Sequence, residues 1–259
     1  MQDLRVTIVQ SDICWHDPDA SLARLDTMLE GTAGRTSLVI LPEMFATGFT
    51  MDPANAACGM DGKAVRWIRE KSVELDADIT GSLAVSDNGR FYNRLLWAKP
   101  DGELLHYDKR HLFRMAGEDR VYSPGSGTIT VELTGWRIRP FICYDLRFPA
   151  WTRNLYNEYD LAIFTANWPA GRSEHWHALL RARAIENQCW VIGVNRAGID
   201  GNGVTYSGGS SLIDYRGEVV YNAGNRESVH TMSLSRSGLA EYRDTFPAWK
   251  DADPFTIGE

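Results

Sequence analysis

Short apolar runs that alternate with helical patterns constrain the fold of this chain more than any other feature. Between the first two runs, Asp17 and Pro18 are typical of a helix start, and leucines then recur at helical spacing as Leu22, Leu25 and Leu29. A strand, a helix and a strand in succession predict an α/β fold. The runs that we interpret as β-strands are residues 4–9, 37–41, 78–85, 91–98, 139–143, 161–164 and 190–194.

Two further helices and three turns complete the pattern. We predict that the second helix begins with Asp61 as its N-cap. The apolar residues of the second helix are Val65, Ile68 and Leu75, and those of the third are Trp176, Leu179, Leu180 and Ile185. Turn sequences at 87–89, 101–102 and 216–217 each separate two β-like runs, which predicts antiparallel strand pairs beside the crossovers.

The chain shows no internal repeat, low-complexity tract or linker, so we predict one domain over residues 1–259. Residues 243–259 follow the last helical pattern and contain Phe246, Trp249 and Phe255 without regular spacing. We expect this irregular C-terminal tail to dock its aromatic side chains on its own domain or on a second subunit.

Composition and charge exclude several classes of partner. The 259 residues carry a net charge of −7 without a cluster of Lys and Arg, which argues against a nucleic-acid or membrane partner and favours a small molecule. The first apolar stretch is interrupted by Asp3 and Arg5, unlike a signal peptide, and no stretch reaches membrane-spanning length. The cysteines form no CxxC pair, so we expect free thiols and a cytoplasmic protein; they are Cys14, Cys58, Cys143 and Cys189.

Three ionisable residues each follow a predicted strand: Glu43, Lys109 and Cys143. Strand ends of open α/β sheets face the binding crevice, so we expect the three side chains to converge there. A sulfur nucleophile needs a base for its proton, and the oxyanion formed by attack on an amide needs a cation and a backbone N–H. The set is chemically sufficient for acyl transfer without a metal.

Each of these residues has a structural alternative. A cysteine after an apolar strand is more often a buried core residue, and the glutamate and the lysine are compatible with a cap and a solvated charge. A zinc site at Glu174, His175 and His177 lacks a recognised ligand pattern, and a serine hydrolase motif is broken at Leu212.

The stretches around these residues favour the functional interpretation. "LPEMFATGF" (41–49), "YDKRHLF" (107–113) and "CYDLRFP" (143–149) resemble, in order, the three signature stretches of the nitrilase or carbon-nitrogen hydrolase superfamily. The resemblance continues through residues 92–96, 117–125, 167–170, 175–188 and 194–214. The pattern is most similar to the ω-amidase-like branch, whose members hydrolyse the terminal amide of short ω-amido dicarboxylates such as 2-oxoglutaramate.

The resemblance implies a role for each matching residue. Cys143 is implied to be the nucleophile, Glu43 the general base and Lys109 the oxyanion stabiliser, with the backbone N–H of Tyr144 as a second oxyanion donor. Glu118, at a short spacing after the lysine, matches the family's second glutamate, which orients the lysine or the substrate amide. The implied reaction is a two-step acyl transfer through a thioester, with no cofactor and no metal.

Substrate recognition is predicted from nearby residue types. Arg147, four positions after the cysteine, offers a fork for a distal carboxylate; the alternative is a structural pair with Asp145. Candidate pocket walls are Phe45, Tyr92 and Trp168, although such aromatics are more often core residues.

The resemblance further implies the fold and the assembly. We expect an α/β protein built as a four-layer α-β-β-α sandwich with two mixed β-sheets, and a homodimer whose junction the C-terminal tail straps. Two other functions stay open: a nitrilase or N-carbamoyl amidohydrolase with the same Glu-Lys-Cys triad, and an idle member that serves as a binding or assembly module.

Overall fold

The computed structural model describes residues 2–258, and within them the chain forms fourteen β-strands and six α-helices. The strands are β1 (Leu4–Gln10), β2 (Leu38–Ile40), β3 (Asp78–Asp87), β4 (Arg90–Ala98), β5 (Leu104–Asp108), β6 (Val131–Leu133), β7 (Trp136–Ile142), β8 (Leu161–Ala166), β9 (Trp190–Asn195), β10 (Ala197–Ile199), β11 (Thr205–Ser207), β12 (Ser211–Ile213), β13 (Val219–Asn222) and β14 (Ser228–Leu234). The helices are α1 (Pro18–Met28), α2 (Pro53–Ala56), α3 (Lys63–Leu75), α4 (Glu118–Val121), α5 (Ser173–Asn187) and α6 (Arg236–Thr245).

Most of the strands form two six-stranded sheets of mixed direction. The first has the order β14-β1-β2-β3-β4-β5, in which β1, β2 and β3 are parallel and the outer pairs are antiparallel. The second has the order β13-β12-β9-β8-β7-β6, with β7, β8 and β9 parallel. In each sheet the parallel strands lie in the middle, so the segments that follow them leave from one edge of the sheet.

Three apolar clusters define four layers. The largest lies between the sheets and joins Ile8 and Ile40 of the first sheet to Ile163 of the second. A second cluster packs α1 and α3 on the outer face of the first sheet, and a third packs α5 on the outer face of the second. The predicted α-β-β-α sandwich with two mixed sheets is therefore confirmed.

Local sequence signals predicted most element positions correctly. The three turns connect antiparallel pairs as expected: β3 with β4, β4 with β5, and β12 with β13. Asp17 caps α1, because its side chain accepts a hydrogen bond from the N–H of Ala20. All four cysteines are free, as predicted. In the part of the chain that the structure describes, no helix is long and apolar enough to cross a membrane.

The predicted cap of the second helix was wrong. Helix α3 begins at Lys63, and its N-cap is Gly62 rather than Asp61. The backbone at Gly62 passes so close to the neighbouring segment that a Cβ there would lie 2.7 Å from Cβ of Cys58. Only glycine fits that approach, so steric contact and not side-chain capping decides where the helix starts.

The C-terminal boundary also differs from the prediction. Helix α6 extends to Thr245, so residues 243–245 are helical and the irregular tail is shorter than predicted. Arg243, expected in the tail, is buried and forms an ion pair with Asp160 at 2.7 Å. Beyond α6 the tail docks on its own chain, because Gln188 binds the carbonyl of Phe246 and the N–H of Trp249.

The buried carboxylate of Asp160 anchors this end of the molecule. It accepts hydrogen bonds from Arg243 and, at 3.2 Å, from Arg137. Burial raises the pKa of Asp160, but the two arginines outweigh burial and hold the pKa below its ordinary value of 3.8. A depressed folded-state pKa means that the stabilisation is present above pH 3.8 and is lost as the pH falls through the folded-state value.

We predict that Asp160→Asn lowers the free energy of unfolding by about 3 kcal/mol at neutral pH, because Arg243 is left buried without its counter-charge. The difference from the wild type should shrink below pH 3.8, where the wild-type carboxylate also becomes neutral. Urea unfolding at several pH values measures both effects. Asp19→Asn removes an exposed ion pair with Lys63 and is the control, because it should lower the free energy of unfolding far less. A difference that persists unchanged at low pH would contradict the ion-pair explanation.

Candidate active site

Three loop segments from the two sheets meet around one buried lysine. Glu43 follows β2, Lys109 directly follows β5 and Cys143 directly follows β7. The ammonium of Lys109 lies 2.8 Å from Oε1 of Glu43 and 2.9 Å from Oε2 of Glu118. The side chains of the lysine and both glutamates are completely buried. Cys143 lines the same cavity as Lys109, so the structure brings together the four residues for which the sequence predicted catalytic roles.

The nucleophile candidate sits at a strained backbone position. Cys143 has φ +42°, and Met44, next to Glu43, has φ +45°. Non-glycine residues rarely adopt this left-handed region, and such strain is typical of functional sites. Cys143 opens a tight helical turn that extends to Arg147, and the first N–H groups of such a turn, including that of Tyr144, have no partner within it. Those groups are suitable donors for an oxyanion.

The buried carboxylate of Asp145 holds the turn in place. Its oxygens accept hydrogen bonds from the N–H of Ile142, the hydroxyl of Tyr107 and both the N–H and the ring of His111. His111 lies two residues after Lys109. The Asp145 carboxylate therefore connects the turn that begins at Cys143 to the segment that carries the lysine. The relative position of sulfur and ammonium is thus set by a side chain that touches neither.

The charges of the cluster determine the state of the thiol. Burial and then the charge of Glu43 raise the pKa of Cys143 well above its ordinary value, and Lys109 only partly opposes them. Burial alone would lower the pKa of Lys109, but the two carboxylates outweigh burial and raise it, so the lysine is a cation. Burial also raises the pKa of Glu118. The resting sulfur is a neutral thiol, so its proton has to leave as the sulfur attacks.

Asn93 is a site residue that our sequence reasoning missed. Its Nδ2 donates to Glu43 at 2.8 Å and to Glu118 at 3.0 Å. Its Oδ1 accepts from the hydroxyl of Ser82, whose oxygen in turn accepts the N–H of Met44. The chain of hydrogen bonds fixes the amide with its NH2 group towards the two carboxylates. The stretch "YNRLL" (92–96), which contains Asn93, was part of the resemblance to the superfamily. A position inside a central strand, however, gives no sequence-based reason to expect contacts with Glu43 and Glu118.

Asn167 holds the other side of the Glu43 carboxylate. Its backbone N–H donates to Oε2 at 2.7 Å, and its side-chain NH2 donates to the Glu43 carbonyl. Oε1 is occupied by Lys109 and Asn93, so both oxygens of the base candidate have fixed positions. The two residues are 124 positions apart, which is why the sequence gives no hint of this contact.

The cluster opens into a cavity of about 340 Å³. Cys143 is half-buried and lines it together with Lys109 and Asn167. Further lining residues are Phe113, Tyr144, Arg147, Trp168, Arg172, Asp200 and Tyr206. A thiol, an ammonium and two guanidinium groups thus face one space that is large enough for a small molecule.

Arg147 and Trp168 line a part of the cavity that we call its recognition end. The guanidinium of Arg147 stacks over the Trp168 ring at 4.7 Å from the ring centre, and Nη2 lies 3.1 Å from Nδ1 of His175. The alternative pairing with Asp145 is excluded, because both oxygens of that carboxylate bind other groups. Arg147 is therefore held in position but has no ion-pair partner within residues 2–258, and its charge is available for an anion.

Comparison with known proteins identifies the family. The family model for carbon-nitrogen hydrolases matches residues 5–244. The chain belongs to the carbon-nitrogen hydrolase family. It is thus a hydrolase that acts on carbon–nitrogen bonds. Omega-amidase YafV of Escherichia coli K12 is 47% identical over 99% of this hydrolase and 100% of that protein. A 2-oxoglutaramate amidase of Bacillus subtilis is 31% identical over 95% and 96% of the two chains.

A solved structure agrees with this assignment. A superfamily protein from Xanthomonas campestris, crystallised with an arsenic adduct in its active site, covers all of this hydrolase with a TM-score of 0.98 and 46% identity. Its match extends over 100% of both chains.

Two aromatic residues that we expected as pocket walls lie elsewhere in the hydrolase. Phe45 is buried in the core between the first sheet and α3, where its ring packs against Trp67. Tyr92 contacts Arg94 on β4 and is not among the cavity-lining residues. Of the three predicted walls, Trp168 does line the cavity, and so does Tyr144, which was expected there as an oxyanion donor. Proximity to a motif in sequence does not tell which face of a strand or loop a side chain occupies.

Histidine positions in the hydrolase favour no metal centre. Within residues 2–258, no group of three or more His, Cys, Asp or Glu side chains has the arrangement of a metal site. His175 contacts Arg147, and His177 lies against Gly209, where an added Cβ would be 2.8 Å from its ring. The two side chains therefore serve separate contacts.

We predict that Glu43→Gln lowers the pKa of Cys143 in this hydrolase, because the substitution removes a negative charge and leaves the positive charge of Lys109. Alkylation of Cys143 by iodoacetamide at about pH 8 should become roughly four- to tenfold faster, since the thiolate is the reactive form. Peptide mass spectrometry over a range of pH measures the rate at each cysteine.

Cys58 provides an internal control for this experiment. Burial is the largest cause that raises its pKa, and its nearest charge is Asp61 rather than Glu43, so its alkylation should be unchanged. An alkylation rate at Cys143 that stays the same or falls in Glu43→Gln would contradict the electrostatic account.

Proposed function

We propose that this hydrolase is a cysteine-dependent amidase that cleaves the terminal amide of small ω-amido dicarboxylates, of the 2-oxoglutaramate kind, to an acid and ammonia. The observation that carries the proposal is the free guanidinium of Arg147 in the same cavity as the Glu43–Lys109–Cys143 cluster. A substrate with an amide at one end and a carboxylate at the other matches this arrangement. The names of two relatives, an omega-amidase and a 2-oxoglutaramate amidase, support the same substrate class.

In the proposed first step, Glu43 accepts the thiol proton as the sulfur of Cys143 attacks the amide carbon. The pKa of the thiol supports this sequence, because a resting thiolate beside two carboxylates would add a second net negative charge to the buried cluster. When the proton moves from the thiol to Glu43, the negative charge moves from the carboxylate to the sulfur, and the net charge of the cluster stays the same. Lys109 and the backbone N–H of Tyr144 stabilise the negative charge that develops on the substrate oxygen.

In the second step, protonated Glu43 gives its proton to the nitrogen of the tetrahedral intermediate, the carbon–nitrogen bond breaks, and ammonia departs to leave the acyl group on Cys143 as a thioester. A water molecule that Glu43 then deprotonates attacks the thioester, releases the acid and restores the thiol. Glu118 keeps Lys109 charged and in position through both steps, while Asn93 and Asn167 hold the base. The same residues would act on nitriles and on N-carbamoyl amines, so the recognition end of the cavity decides between these substrates.

We predict ammonia release from 2-oxoglutaramate at a higher kcat/KM than from simple nitriles or N-carbamoyl amino acids. Simple nitriles have no carboxylate for Arg147, and N-carbamoyl α-amino acids carry theirs about one bond closer to the carbon that the sulfur attacks. A coupled ammonia assay on this set of substrates measures the preference. Cys143→Ala should reduce release to the background rate, since no thioester can form. Release that survives in Cys143→Ala would refute the covalent mechanism, and a preference for nitriles would refute the substrate assignment.

We predict that Arg147→Met lowers kcat/KM for a carboxylate-bearing amide by about 10- to 100-fold, which corresponds to one lost charge-assisted hydrogen-bond pair. A neutral amide of the same length should lose much less, because it has no group for the guanidinium. The carboxylate-bearing amide is glutaramate and the neutral amide is valeramide. Parallel assays measure the ratio of wild-type to variant kcat/KM for each of them. Equal losses on both substrates would remove Arg147 from substrate recognition.

We also propose that the protein works in the cytoplasm as a homodimer. Free cysteines support the location, and the exposed apolar residues Phe246, Phe255 and Ile257 of the C-terminal segment support a partner surface. Light scattering of the purified chain distinguishes a dimer from a monomer.

A further inference from the structure

Arg172 is a second unpaired cation in the cavity that the proposed mechanism does not use. It ends the tight turn at residues 170–172 and lines the cavity together with Arg147 and Cys143. Its guanidinium lies over the ring of Phe113, 5.4 Å from the ring centre, and makes no ion pair with any carboxylate in the described part of the chain. The guanidinium therefore rests on the ring of another lining residue while its charge stays free.

One tryptophan contacts both arginines. The face of the Trp168 ring carries the guanidinium of Arg147, and the ring Nε1 donates to the backbone carbonyl of Arg172 at 2.7 Å. On the other side, the ring of Phe113 packs at 5.0 Å against that of Tyr144, the residue after the nucleophile. Arg172 is thus linked through Trp168 to Arg147 and through Phe113 to Tyr144.

The one acidic side chain among the lining residues outside the buried cluster does not neutralise these cations. Asp200 binds the N–H groups of Asn202 and Val204 with Oδ1 and the hydroxyl of Tyr206 with Oδ2. Both carboxylate oxygens of Asp200 therefore bind groups of residues 202–206. The recognition end of the cavity is therefore positive and presents guanidinium N–H donors in excess of what one carboxylate needs.

We propose that Arg172 is a specificity residue that reads the substituent on the carbon next to the substrate's distal carboxylate. With the carboxylate on Arg147, that carbon and its substituent come next to Arg172. A 2-oxo group offers an oxygen that accepts a hydrogen bond from the guanidinium, whereas a 2-ammonium group meets a like charge. Arg172 thus favours 2-oxo acids over amino acids such as glutamine; this inference rests on the proposed function.

Three substrates of equal length test the assignment: 2-oxoglutaramate, glutaramate without a 2-substituent, and L-glutamine. For Arg172→Met we expect the kcat/KM for 2-oxoglutaramate to fall about tenfold more than that for glutaramate, mainly through KM, since one charge-assisted hydrogen bond is lost. In the same variant, the ratio of kcat/KM for 2-oxoglutaramate to kcat/KM for glutamine should also fall. Arg172→Lys, which keeps the charge, should retain more of the discrimination against glutamine than Arg172→Met.

Arg114→Met is the matched control. Arg114 follows Phe113 in the chain, is 86% exposed at its side chain and does not line the cavity, so its loss changes the net charge equally without touching the substrate. Its three kcat/KM values should keep the wild-type ratios. Circular dichroism melts of all variants show whether each one is folded.

Two outcomes overturn the inference on its own. Either Arg172→Met lowers kcat/KM for 2-oxoglutaramate and glutaramate by the same factor, or the lysine and methionine variants discriminate against glutamine equally. In both cases the wild type still hydrolyses carboxylate-bearing amides, and the proposed function stands. A wild-type enzyme that releases ammonia from none of the three substrates refutes the proposed function and the role of Arg172 together.

Discussion

The ion cluster of Lys109 between Glu43 and Glu118 is the interaction on which the rest of the site depends. All three side chains are fully buried, and a buried charge is tolerated only when it is paired and hydrogen-bonded. Burial, and then the net negative charge that one cation between two carboxylates leaves, raise the pKa of the Cys143 thiol and keep the sulfur neutral at rest. The hydrogen bonds from Asn93 and Asn167 offset the remaining desolvation and leave the Glu43 carboxylate with no freedom to rotate.

The two-sheet architecture makes this cluster possible. The first sheet supplies the glutamate and the lysine, the second supplies the cysteine, and the packed core between the sheets sets their separation. Asp145 adds a direct link, because it binds both the start of the nucleophile turn and His111 beside the lysine. That bracing explains how Cys143 keeps a left-handed backbone conformation that an unsupported turn would relax.

The cavity has a chemical end and a recognition end with different physical character. At the chemical end the carboxylate of Glu43 and the ammonium of Lys109 are held by protein partners, so their geometry is fixed before a substrate arrives. At the recognition end, the guanidinium groups of Arg147 and Arg172 rest on aromatic rings and lack carboxylate partners among residues 2–258. Aromatic support orients a cation without neutralising it, so both charges remain available to a ligand.

The sequence by itself determined the alternating elements, the hairpin turns, the cap of α1 and the position of each reactive residue just after a strand, because these depend on residues close together in the chain. Only the tertiary structure decided the partners of Glu43, the start of α3 at Gly62 and the burial of Arg243. It also decided that Phe45 belongs to the core and that Arg172 faces the cavity. Each of these depends on contacts between segments tens of residues apart, such as the 124 positions between Glu43 and Asn167. Local spacing does not encode such contacts, since the face on which a side chain lies follows from how the layers pack.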